Sequence, residues 1–137
     1  MPSDEQISIS KLRIGIAAER LDYADEILKI GDYKTVANRS YYAVFSAMRA
    51  VLALDGFDSK KHSGIIAEFR RRYLKTEILP NPKELSEIID GLVEVRQGSD
   101  YDDFYIISKE EVTAQLKNAR LFVTEVEKYL RGVYPVK

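Results

Sequence analysis

Apolar residues recur along this chain at intervals of three and four, the period of a helix packed on one side. Ile14, Ala17, Leu21, Ala24 and Leu28 share one face of a helix expected over residues 9–30, and Gly31 closes it. Asp32 caps a second helix over about residues 34–55, which Gly56 ends. A third starts near Asp58 or Ser59 and runs to about Leu74. Asn81, Pro82 and Glu84 stand in cap, first-turn and third-position order, opening a fourth. Leu85, Ile88, Ile89, Leu92 and Val95 give that helix its apolar face, and Gly98 is its expected end. Ser108 and Glu111 form a capping box for a fifth, which carries Val112, Leu116, Ala119, Val123, Val126 and Leu130. No segment reads as a strand, a linker or a repeat. The pattern predicts an all-α fold, an antiparallel helical bundle of about five helices in a single domain over residues 1–137.

The second helix departs from the one-sided pattern. Ala37, Tyr41, Val44, Phe45, Met48, Val51 and Leu52 fill a broad face, while Ala43, Ala47, Ala50 and Ala53 line the opposite side with Arg39 and Ser46. A helix apolar on nearly every side belongs at the centre of a fold, its alanine face covered by other helices or by a second subunit. Arg39 in such a helix needs a partner or a water-filled groove.

Composition narrows the chemistry. The chain is 45% apolar and 31% charged, ordinary for one globular core. A net charge of -1 lacks the basic footprint of a general DNA binder. The absence of cysteine excludes disulfides, thiolate metal sites and thiol nucleophiles, and suits a cytoplasmic location. No apolar run approaches membrane-spanning length, and the N-terminus does not read as a signal peptide. His62 is the lone histidine, so neither a multi-histidine metal site nor a triad using another histidine is available within one chain.

The candidate chemistry gathers in two segments. Arg96 projects from the core-facing side of the fourth helix at its C-terminal end, followed by Asp100, Tyr101, Asp102 and Asp103. Spacing alone favours a cation on the helix dipole, paired with Asp100 or Asp102; the sharper reading is a guanidinium aimed at phosphate. The acidic loop lacks a calcium-loop pattern and reads as a solvated turn. Tyr101 and Tyr105 offer hydroxyls for packing, hydrogen bonding or modification. His62, in the first turn of the third helix, is expected neutral there; Ser63 and Gly64 offer amides that weakly suggest an anion site. Arg70, Arg71, Arg72 and Lys75 form a basic run, by default a solvated face and alternatively an RNA contact.

Asn38-Arg39-Ser40-Tyr41-Tyr42-Ala43-Val44-Phe45, with Gly56-Phe57, His62-Ser63-Gly64, Phe69, Arg96 and Asp100-Tyr101, resembles the HEPN family, closest to its small stand-alone prokaryotic branch. The resemblance implies a homodimer with a groove between the copies. It also implies RNA or nucleotide as ligand and, as partner, a small nucleotidyltransferase antitoxin. It calls for no cofactor and no metal. Many HEPN proteins are metal-independent ribonucleases that use an arginine followed four to six residues later by histidine. Arg96 matches that arginine, whereas positions 101, 102 and 103 are Tyr, Asp and Asp. The tyrosine adenylylated in toxin relatives falls at Asp103, between Tyr101 and Tyr105, and many relatives have histidine where Ser46 stands.

Three functions follow as expectations. The first is a dimeric module binding nucleotide or RNA phosphate through Arg39, Arg96, His62 and Tyr42. The second is an endoribonuclease toxin with an altered motif, Arg96 clamping phosphate while Asp100 or Asp102 assists. The third is a structural interaction domain with both arginines in internal salt bridges.

Overall fold

A computed structural model describes residues 1–101 and 105–135, the side chains of residues 99–101 excepted. It contains α1 (Asp4–Ile30), α2 (Tyr33–Ala53), α3 (His62–Phe69) continued by one π turn (Arg70–Leu74), α4 (Pro82–Tyr101) and α5 (Lys109–Arg131), with no strand among the described residues. The all-α bundle expected from the periodicity is what forms.

α1 begins at Asp4, five residues before the expected start at residue 9. Ser3 accepts from the amide of Gln6 while the Gln6 side chain accepts from the Ser3 amide, a reciprocal cap that adds a polar turn. Gly31 ends α1 with φ +89°, and Asp32 accepts from the Thr35 amide to open α2. This tight turn makes α1 and α2 an antiparallel hairpin: Arg13 reaches the Arg49 carbonyl, and Arg20 reaches Tyr42. α5 closes over α1, also antiparallel, with Ser10 bonded to Tyr134 and Arg120 to Asp25.

α2 touches every other helix. Its alanine face is covered, with Ala43, Ala47 and Ala50 fully buried, and its large face meets the rest of the core. Phe69 and Phe122, both wholly buried, pack with ring centroids 5.5 Å apart.

The segment after α2 differs from the expected helix. Asp58 and Ser59 do not cap α3, because both side chains are engaged in the returning connection. Asp58 binds Arg49 and Arg13, and the Ser59 hydroxyl accepts from the Lys61 amide. The connection runs back along α2, so α3 begins only at His62, beside Tyr41, and then travels in the same direction as α2 until Tyr73 meets Val51 and Asp55. Gly64 permits this return: a Cβ there would stand 2.8 Å from the Ser59 hydroxyl.

Gly98 does not end α4, which continues to Tyr101. Its role is close approach. A Cβ at Gly98 would lie 2.3 Å from the ring of Tyr105, which folds back onto the helix.

Candidate functional site

The site is built where α2, the first residue of α3 and the last turns of α4 meet. Tyr41 and Phe45, four residues apart, lie on one face of α2, and Tyr42 stands one residue round the helix toward α1. Tyr41 and Phe45 are buried, while Tyr42 is half-buried with its hydroxyl toward α4. The two tyrosine rings meet edge to face, 5.1 Å between centroids. His62 closes the other side of this platform, its ring 4.2 Å from that of Phe45 and 5.7 Å from that of Tyr42. Its Nδ1 pairs with the Tyr41 hydroxyl at 2.9 Å, the donor being set by the tautomer.

Arg96 lies across the platform. Its guanidinium carbon is 5.1 Å from the Tyr41 ring centroid and 5.7 Å from that of Tyr42, and its Nη2 donates to the Tyr42 hydroxyl at 3.3 Å. Aromatic faces attract a cation, so the two tyrosine rings orient the guanidinium. That charge acts on His62. Burial first, then repulsion from Arg96 and Arg49, holds the imidazole below its ordinary range, so the neutral ring predominates near neutral pH.

Of the residues expected to bind phosphate, Arg96, His62 and Tyr42 come together. Arg39 occupies a neighbouring position, in a groove of about 430 Å³ lined by Ile16, Glu19, Arg20, Tyr23 and Arg39. The link is Arg20, whose guanidinium carbon lies 5.6 Å from the centroid of the same Tyr42 ring that carries Arg96. Arg20 and Glu19 were not evident as functional candidates from periodicity. The available signal was the place of Arg20 at the edge of the buried stripe of α1, next to Leu21. Among the described residues neither Arg20, Arg39 nor Glu19 has an ion-pair partner within 4 Å.

The basic run on α3 behaves oppositely. Arg70 pairs with Asp90 at 2.5 Å, Arg71 with Glu68 at 2.7 Å, and Arg72 with both Glu68 and Asp55. At the α3 start the Gly64 amide donates to the Lys61 carbonyl, and Ser59 packs over Gly64. The guanidiniums of the basic run are thus held by the protein's own carboxylates.

The side chains of Asp100 and Tyr101, and all of Asp102, lie outside the described residues. Tyr105 is half-buried, its hydroxyl pushed up by burial and then by Glu111 and Glu94. No helix among the described residues is long and apolar enough to cross a membrane.

Comparison with known proteins identifies the family. The HEPN domain family matches residues 10–129. A Thermotoga maritima protein named as a UPF0332 protein is 33% identical over 117 residues, covering 85% of this chain and 87% of its own length. A Methanocaldococcus jannaschii protein named "Putative toxin" is 32% identical over 114 residues, covering 83% of this chain and 76% of its own. A second protein from that organism with the same designation is 26% identical over 123 residues, covering 88% and 87%.

Proposed function

The chain belongs to the HEPN domain family, and on that premise we propose that it is the toxin-like member of a toxin–antitoxin or nucleotidyltransferase-associated pair, binding RNA or nucleotide phosphate at Arg96. The binding site faces a groove shared with a second copy, and the partner is a nucleotidyltransferase antitoxin. The toxin designation of two relatives supports the biological setting. The observation that carries the chemistry is the Arg96 guanidinium held on the Tyr41–Tyr42 platform beside neutral His62. A planar, charged, ring-supported guanidinium suits bidentate contact with phosphate. Tyr42 orients it, and Arg20 and Arg39 extend positive charge along the neighbouring groove.

One observation favours a second reading, cleavage of the bound RNA. The family's histidine is missing after Arg96, yet His62 reaches the arginine's platform from a different helix, and Tyr41 fixes its ring. A neutral imidazole there suits proton abstraction from a 2′-hydroxyl. In that reading Asp100 and Asp102 become secondary, and Arg96 clamps the phosphate. Tyr101 and Tyr105 remain the proposed targets if the partner modifies this chain.

The test is fluorescence anisotropy with single-stranded RNA and with a mononucleotide, comparing the unmodified chain, Arg96→Ala and His62→Gln. Binding weakened by Arg96→Ala supports the phosphate site. RNA cleavage lost in His62→Gln with binding retained supports the second reading. Binding unchanged in Arg96→Ala rejects the site.

A further inference from the structure

The groove beside the Arg96 platform carries groups that a phosphate alone does not call for. Ile16, Glu19, Arg20 and Tyr23 follow one another along α1 at helical intervals, so their side chains share one face. Arg39, from α2, lines the same groove of about 430 Å³, a volume ordinary for a small-molecule site. The lining thus combines a phenol ring, an aliphatic side chain, a carboxylate and two guanidiniums. Tyr23 is 63% exposed and takes no part in the core. Glu19 stands four residues before it, the spacing that makes two helical side chains neighbours.

We infer that this groove reads the base of the bound nucleotide, and that the base is guanine. A nucleobase is a flat heterocycle with polar edges, and an open aromatic ring is the surface on which an unpaired base stacks. Tyr23 supplies that ring, and Ile16 supplies apolar contact beside it. Specificity comes from Glu19, whose carboxylate can only accept hydrogen bonds. On its Watson–Crick edge guanine presents two adjacent donors, N1–H and the 2-amino group, which match the two carboxylate oxygens in the way a guanidinium does. Adenine and cytosine each offer one amino group beside a ring-nitrogen acceptor, and uracil offers one N–H between two carbonyl oxygens. Each of these edges sets an acceptor against the carboxylate, so the groove repels them as well as favouring guanine.

The guanidiniums complete the arrangement. Arg20 and Arg39 lie within the groove to take the phosphate of the nucleotide whose base Tyr23 carries. Arg20 and Arg96 sit 5.6 and 5.7 Å from the centroid of the same Tyr42 ring, so Arg96 is placed for the neighbouring phosphate of a strand. This base pocket deepens the RNA or nucleotide reading above and rests on it, but it uses residues of α1 that the Arg96 site does not require.

Titration calorimetry of the full chain tests the pocket, with the monophosphates of guanosine, adenosine, cytidine, uridine and inosine. GMP should bind roughly 5- to 150-fold more tightly than AMP, CMP or UMP, the range for one bidentate base contact. IMP, which lacks the 2-amino group, should lose most of that advantage. Glu19 and Tyr23 are exposed, so substitution leaves the core intact. Glu19→Gln should remove the preference for GMP while AMP binds no more weakly. Tyr23→Ala should weaken GMP and AMP alike, by roughly 5- to 150-fold. Equal affinity for the four standard monophosphates, or a GMP preference that survives Glu19→Gln, would overturn the pocket. Arg96→Ala separates it from the phosphate site. RNA binding indifferent to Arg96→Ala, with the GMP preference intact, rejects the Arg96 assignment and leaves the pocket standing. RNA binding weakened by Arg96→Ala, with four equal monophosphates, does the reverse. Absence of binding to every nucleotide and to RNA rejects both.

Discussion

Two arginine-rich regions of this protein lie toward opposite ends of the same central helix and behave differently. On the turn that continues α3, three consecutive arginines look like an anion site, but Asp90, Glu68 and Asp55 take all three guanidiniums. At the α1–α2–α4 junction the arginines are scattered in sequence, at Arg20, Arg39 and Arg96, and converge on tyrosine rings and a groove. The difference teaches that a run of like charges along a chain is a poor guide to where arginines converge in the fold. A carboxylate holds a guanidinium by charge, whereas a tyrosine face fixes the plane in which it lies.

The largest effect that would sharpen the contrast is on the platform itself. Phe45 is 6% exposed and supports the His62 ring. Phe45→Ala should cost about 3–5 kcal/mol of stability, read by urea unfolding. Next is Tyr42→Phe, which removes the hydroxyl that accepts from Arg96 while keeping the ring. It should weaken RNA binding by about 0.5–1.5 kcal/mol, roughly 2- to 10-fold, with the fold unchanged. On the other side of the comparison, Asp90→Ala frees Arg70 from a pair that is largely open to solvent. Urea unfolding should register only about 0.2–1 kcal/mol. Arg71→Ala should leave RNA affinity unchanged; a loss equal to that of Tyr42→Phe would erase the distinction between the regions.

The smallest predicted effect is a proton equilibrium. His62 is the single histidine, so its ring carbon proton is one unambiguous NMR signal. It should titrate below 6.5, and Arg96→Ala should move the midpoint upward by removing a repulsive charge, though burial will keep it depressed. The sign for stability follows. Between the folded pKa and the unfolded value near 6.5, the unfolded chain binds more protons. The contribution of neutral His62 is therefore complete above about pH 6.5 and is lost as pH falls through the folded value. His62→Gln should lack that part of the acid dependence.

The helices were legible in the sequence because each is fixed by local signals. Gly31, Asp32 and the Ser108–Glu111 box act within a few residues and stand where expected. The errors arose where a residue with local meaning is used at long range. Asp58 and Ser59 resemble a helix start but serve the chain's return along α2. Gly98 resembles a helix end but makes room for Tyr105. The same limit applies to the site. Arg96, His62 and Tyr42 could be named singly from residue type and position, but their meeting depends on α3 running alongside α2. Arg20 was hidden because an arginine beside a buried stripe looks like any other surface cation until Tyr42 is placed against it.

The salt dependence of RNA binding tests Arg96 as a phosphate ligand most directly. Each phosphate contact to a single strand contributes about 0.7 to the slope of log affinity against log salt. Arg96→Ala should bind more weakly and show a slope shallower by about 0.7, while Arg71→Ala keeps both values. An Arg96→Ala variant with unchanged affinity and unchanged slope would contradict the assignment.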